Sequence, residues 1–466
     1  MLTLLLFLSL ITIFFLLLNL RISAFRLRSK LGLRGPKPNL LFGNVLEFID
    51  PNVKWEEDQS VLFKKLKRQY GDVYGIYLGP QLNVVVTDLD VARDILIKNF
   101  SCFTDRSNIA ILEKKPMSEC LFNLRQQEWK DIRSTVVHTF SNRIMREMAS
   151  SCLPKIMKFL DGLDSYAASG TAFDIYKNFQ VLTVDVIAQQ LFDGYDFNES
   201  WLIRLSLIFP EMIWFLKPFV SFTKFSKAEQ RIVNDLREVL LRKKHLKCKQ
   251  SIDLLQLLIN SNELMENNER KGTPLTDDAI VANAMVFLLA GYETSSTAMG
   301  FAAWLLAKHP EVQEKLRQEV NVKFNDIQIG QEYDVIHDMP YMNAVMQETL
   351  RLYPPLVLLL CGHVLKSVQL TKFHLCLVFK FFFRLTVSIT MKPFGPNQIV
   401  SFQNVLLVPI VRIIQWHGFR LEQDRETALA NDSRKCKAES EDPIKLKCNG
   451  ATIRPRNGVV IKLSRY

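Results

Sequence analysis

Between Asp278 and Lys308 a single residue, Glu293, is charged. Thr276-Asp277-Asp278 opens this stretch with acidic residues suited to a helix N-terminus, and Pro310 follows its end. About thirty such residues predict one helix of about 45 Å. A helix apolar on most sides has no face to give to water, so it must be buried along its length. Chain length alone, 466 residues, suggests about three domains at roughly 150 residues each. One long buried helix argues instead for a single large domain with a shared core.

The rest of the chain predicts a mainly α fold with small β-sheets. Val73 to Leu78 and Leu82 to Thr87 read as strands around a Gly79-Pro80 turn, with Asp90 capping a helix over Val91 to Asn99. From about 125 to 350 the pattern is mainly helical. Leu202 to Phe222 reads as helices that line an apolar cavity or fill the core, and polar Ser261 to Thr273 as a surface loop.

The N-terminus sets the expected location. Met1 to Leu20 carries no charge and is long enough for a bilayer, and Arg21, Arg26, Arg28 and Lys30 follow at once. A cleaved signal peptide would want a charged start and a small-residue cleavage site, neither of which is clear. Residues 1–22 are therefore expected to be a membrane anchor, with residues 23–466 a cytosolic body. On that orientation the acceptor triplet Asn198-Glu199-Ser200 stays unglycosylated. Leu33-Arg-Gly-Pro-Lys-Pro38 cannot continue a helix and makes a stiff elbow between the two parts. Net charge is +11. With no nucleic-acid motif in sight, an anionic membrane surface or an acidic protein fits this balance better. The densest basic run, Arg242 to Lys249, reads most simply as a solvated helix end. None of the eight cysteines has zinc-site spacing, and a reducing compartment argues against disulfides.

Inside the long helix sits Ala290-Gly291-Tyr292-Glu293-Thr294. The small pair lets a flat group approach the backbone, and an acid and a hydroxyl stand beside that gap. Taken alone, the string also fits a helix kink with back-bonded hydroxyls. About fifty residues later comes Glu348-Thr-Leu-Arg351-Leu-Tyr-Pro-Pro355, in which Glu348 and Arg351 share a helix face and can pair. In this order and spacing the two strings resemble the microsomal cytochrome P-450 family, in its animal xenobiotic-metabolising style, over roughly residues 1 to 355.

The resemblance implies the cytochrome P-450 fold and a haem-thiolate monooxygenase. Such an enzyme oxidises small hydrophobic molecules with O2 and takes electrons from an NADPH-dependent flavoprotein reductase at the endoplasmic reticulum membrane. Ala290 and Gly291 would lie over the haem, Thr294 would donate to bound dioxygen, and Glu293 would help relay protons. Trp129 and Arg133 match the Trp-x-x-x-Arg that meets a haem propionate, although Trp416 and Arg420 repeat the spacing. Glu348 and Arg351 would be a buried structural ion pair.

After Pro355 the pattern breaks. The family continues to a Pro-Glu-Arg-Phe-like segment and a Phe-x-x-Gly-x-Arg-x-Cys-x-Gly loop whose thiolate ligates the iron. This sequence has neither; Pro393-Phe-Gly-Pro396 is followed by Asn-Gln-Ile-Val. No haem-ligating cysteine can be identified. Leu356 to Thr390 shows no sustained period, while Val411 to Leu421, Asp442 to Leu446 and Arg454 to Leu463 resemble the family's C-terminal strands. Residues 356–410 thus read as an aberrant segment in a fold incomplete after about 355. A retained intron, a faulty gene assembly or genuine divergence would each produce this, and a non-catalytic relative is the alternative to an enzyme.

Overall fold

The computed structural model describes residues 21–48, 59–105, 114–137, 141–169, 171–187, 224–246, 254–267, 273–324 and 331–355. It also describes a few positions before 21 and short segments, mostly strands, after 355. Most of the apolar run before residue 20, the stretch Leu202 to Phe222, Asn198 and most of 356–410 lie outside the described residues.

The chain enters through a helix at 21–30, here α1, and follows with α2 (Gln59–Tyr70) and the antiparallel hairpin β1 (Val73–Leu78) and β2 (Gln81–Val86). The next helix, α3 (Leu89–Arg93), is capped by Asp88, whose carboxylate accepts from the Asp90 and Val91 amides. Asp90 was the sequence expectation. Asp88 takes the role because its extended backbone aims the carboxylate back at the first free amides.

Helices then dominate: α4 (Gln126–Val137), α5 (Asn142–Ser169), α6 (Ile175–Ile187, after the short strand β3, Phe173–Asp174), α7 (Lys224–Leu246) and α8 (Leu254–Glu266). They surround α9 (Asp277–Lys308), which is followed by α10 (Pro310–Phe324), α11 (Glu332–His337) and α12 (Pro340–Leu352). The Thr276 hydroxyl caps α9 by accepting from the Ala279 amide at 3.0 Å. Its acidic first turn also seats α7, through Arg237 on Asp278 at 2.7 Å and Lys244 on Asp277 at 2.5 Å. Arg242 pairs with Glu238, so part of the basic run is spent on neighbouring carboxylates.

Ser261 to Thr273 departs from the expected surface loop. Helix α8 runs on to Glu266, and Ser261 and Asn262 are buried. Their polar groups join elements. Ser261 donates to the Thr135 carbonyl at 3.3 Å, and Asn262 accepts from the Leu275 amide just before α9. Polar residues read as solvent-facing are here the hydrogen-bonding link between α4, α8 and α9.

The strands after 355 are β4 (Leu360–His363), β5 (Val368–Gln369), β6 (His374–Leu375), β7 (Lys380–Phe383), β8 (Phe419–Gln423), β9 (Leu446–Asn449), β10 (Thr452–Pro455) and β11 (Val460–Arg465). Strand β7 pairs in parallel with β2 and antiparallel with β4, giving a four-stranded sheet in the order β1-β2-β7-β4. The stretch expected to have no strand period therefore supplies two strands to the first sheet. A short continuous apolar run needs no alternation to pair as a strand. Strand β11 joins β3 and β8, and Asp174 accepts from the Val459 amide at 2.8 Å, tying the C-terminal strand to the start of α6.

Candidate active site

Helix α9 is buried on both sides of its centre: residues 279–286 and 295–304 are enclosed throughout. Between them the shell opens. Phe287, Leu289, Tyr292, Glu293 and Thr294 are half-buried, and Ala290 is exposed. An exposed alanine in the middle of an otherwise enclosed helix marks an opening beside one face of it. Of the Ala-Gly pair, Ala290 faces this opening while Gly291 is buried.

Hydroxyls bond back along the helix here. Thr294 donates to the Ala290 carbonyl at 2.5 Å, and Ser296 to the Tyr292 carbonyl at 2.9 Å. The Tyr292 carbonyl also receives Thr183 of α6 at 3.3 Å. Back-bonding of this kind eases bending of a helix, and it places the Thr294 hydroxyl beside Ala290.

Glu293 turns to a different neighbour. Its carboxylate lies 3.9 Å from the Arg454 guanidinium on β10, and both side chains are mostly buried. Tyr176 of α6 adjoins the same cluster; burial, with a smaller contribution from the Glu293 charge, pushes its phenol up to about 12. The sequence had marked Arg454 only as part of a C-terminal strand. Nothing in its Arg-Pro-Arg context signals a carboxylate partner, since the pairing depends on how the β9-β10 hairpin lies against α9.

A second missed residue is Asn283, fully buried on α9. It accepts from the Leu121 amide at 3.0 Å and donates to the Glu119 carbonyl at 3.3 Å, pinning the loop before α4 to the N-terminal half of α9. One asparagine in an apolar run was the available signal, since a buried polar side chain requires partners.

Trp129 and Arg133 come together on α4, with the guanidinium carbon 5.0 Å from the indole ring centre. Both are half-buried, Phe100 packs against Trp129 at 6.3 Å, and burial lowers the Arg133 pKa. Glu348 and Arg351 form a two-point ion pair at 2.6 and 2.7 Å. They are not buried as expected: their side chains are 55% and 44% exposed. On α12 the packed face is taken by Met342, Met346 and Thr349, which leaves the edge with Glu348 and Arg351 to solvent.

The described residues offer two separate features that suit a haem. The opening at Ala290 with the Thr294 hydroxyl beside it, and a half-buried arginine stacked on Trp129, suit a flat ring with acidic substituents. Among the described cysteine side chains none suits a thiolate ligand. Of the three cysteines whose side chains are described, Cys120 and Cys152 are buried, and burial raises both thiols, which disfavours the thiolate a metal needs. Cys102 is half-buried in the turn after α3, within a short helix at Phe100–Cys102.

Comparison with known proteins gives the family. The sequence model of the cytochrome P450 family matches residues 33–375. Cytochrome P450 3A29 of Sus scrofa is 31% identical over 350 residues, covering 70% of this chain and 66% of that protein. Thromboxane-A synthase of Macaca fascicularis is 29% identical over 383 residues, covering 72% and 70%. The family match and the buried helix with its opening at Ala290 lead to one conclusion: the chain belongs to the cytochrome P450 family.

Proposed function

We propose that this chain is a membrane-held member of a haem-thiolate monooxygenase family that keeps the substrate and oxygen side of the site but does not complete the iron-ligating side. The opening at residues 287–294 of α9 carries this reading. In a working relative it would receive a small hydrophobic molecule next to a haem that supplies oxygen activation. Here Ala290 leaves the room, Thr294 presents a hydroxyl at the opening, and Glu293 holds a carboxylate behind it against Arg454. Trp129 and Arg133 would take the haem's acidic edge, and a flavoprotein reductase would supply electrons. Residues 1–22 would hold the body on the cytosolic face of the endoplasmic reticulum.

Two features support the incomplete half. The sequence has no Phe-x-x-Gly-x-Arg-x-Cys-x-Gly string, and the family match stops at residue 375. A haem held without a thiolate would not supply oxygen activation of the monooxygenase kind. The full chain, expressed and purified in detergent, should therefore show no reduced carbon-monoxide band of thiolate-ligated haem and no reductase-dependent hydroxylation. Appearance of that band would overturn the reading, and replacing each cysteine by serine in turn would then identify the ligand.

A further inference from the structure

We propose that Arg454 is the positioning residue of Glu293: carried in on β10, its guanidinium keeps the carboxylate beside the opening ionised, so that at neutral pH Glu293 stands there as a proton acceptor and not as a neutral acid. The chemical meaning rests on the reading of that opening as the oxygen side of the site, while the pairing itself does not.

Helix α9 cannot supply the countercharge. Between Asp278 and Lys308 it holds no cation. Yet water does not reach this place. The Glu293 Oε1, the Tyr176 hydroxyl and the Thr297 hydroxyl are all shut off from solvent, and Thr297 follows Glu293 by one turn on the same face of the helix. An ionised carboxylate in such surroundings is unfavourable unless an opposite charge offsets its lost hydration. Arg454 lies 3.9 Å away and is itself mostly buried. Its charge also acts on the Tyr176 phenol, in the opposite sense to that of Glu293. Among the described charged and titratable groups that act on that phenol, Glu293 and Tyr292 from α9 and Arg454 from β10, Arg454 is the cation.

The chain delivers Arg454 from a braced segment. Five residues on, Val459 donates its amide to the Asp174 carboxylate at 2.8 Å, and its carbonyl accepts the Ile175 amide at 2.9 Å. Val459 and Ile461 are buried, and β11 pairs Val460 with Asp174 and Ile461 with Phe173. Gly458 has φ +77°, and a Cβ there would overlap the Asp174 carboxylate, so only glycine brings the chain this close to α6. The same unit abuts α9, since a Cβ on Gly300 would lie 3.2 Å from the Tyr176 ring and 3.5 Å from the Val459 side chain. The start of α6, the start of β11 and the middle of α9 are thus locked together, and β10, just before β11, meets α9 from that fixed base.

The test removes the cation and reads the acid. The full chain, Arg454→Met, Arg454→Lys, Glu293→Gln and the double variant Arg454→Met/Glu293→Gln are unfolded in urea at about pH 5 and about pH 8. A carboxyl that burial holds neutral has a folded pKa above its unfolded one, so its contribution is present at low pH and is lost as pH rises through the folded value. Relative to wild type, Arg454→Met should therefore lose about tenfold in the folded-to-unfolded ratio between the two pH values. It should also gain the infrared band of a protonated carboxyl, assigned to Glu293 by its absence in the double variant. Tyr176, with its phenol at about 12, does not titrate in this range. Arg454→Lys should restore most of the wild-type behaviour, and the double variant should show neither signal. Arg454→Met that folds only at the lower pH, and is restored by Glu293→Gln, gives the same result in stronger form. A loss equal at both pH values without a new carboxyl band, or a failure to fold that Glu293→Gln does not relieve, overturns the pairing. Whether haem is held is judged separately by the carbon-monoxide band, so the two failures are told apart.

Discussion

Helices α9 and α12 carry the two sequence strings that most resemble the family, yet they finish in opposite surroundings. The first is enclosed by α6, α7, α8, α12 and β8 on either side of the opening at Ala290. The second buries Met342, Met346 and Thr349 but leaves Glu348 and Arg351 in solvent. The difference lies in what each string needs from the rest of the chain. Helix α9 is covered mostly by helices that precede or adjoin it, with β8 and β10 added from the C-terminal part. The described residues leave the ion pair of α12 about half in solvent, its packed face being held by Met342, Met346 and Thr349. A motif can thus be intact as a string and still lack the surroundings that give it its role.

The largest expected effect lies where α9 meets the end of α12. Phe301 is fully buried and stacks on Tyr353 with ring centres 4.7 Å apart, while Trp304 meets the same ring edge-on. Phe301→Ala should cost about 3–5 kcal/mol, read as a lower urea midpoint of the full chain. A loss well under 1 kcal/mol would mean that α9 is not enclosed as described.

Asn283→Ala should have a middling effect. It leaves the Leu121 amide and the Glu119 carbonyl without their side-chain partner, at a cost of about 1–3 kcal/mol. Hydrogen exchange gives a sharper reading, because the Leu121 amide should lose protection while amides inside α9 keep theirs. Unchanged protection at Leu121 would detach the loop from the helix.

Arg351→Ala should have the smallest effect and a characteristic pH dependence. The hydrogen bond from Arg351 holds the Glu348 carboxyl below its ordinary value of 4.5. A depressed folded pKa gives stability that is present above about 4.5 and fades as pH falls through the folded value. Arg351→Ala should remove that acid-side change and otherwise leave the melting temperature close to wild type, since an exposed pair contributes little. A drop comparable to Phe301→Ala would show that the pair is covered after all.

Much of this was legible in the chain itself. One charge in the run from 279 to 307 required a buried helix, and the length of that run required a large enclosing domain. The order of Ala290-Gly-Tyr-Glu-Thr294 and Glu348-Thr-Leu-Arg351 was enough to suggest the family. Spacing by four brought Trp129 and Arg133 together, and spacing by three paired Glu348 with Arg351, because neighbours on a helix face are fixed by the helix itself. Only the tertiary structure decided that Ala290 faces an opening, that Glu293 meets Arg454 from a strand about 160 residues away, that Lys380 to Phe383 joins the hairpin formed near residue 80, and that Glu348 and Arg351 are exposed. These outcomes depend on which distant surfaces meet, and a helical or strand period says which side of an element is apolar without saying what will cover it.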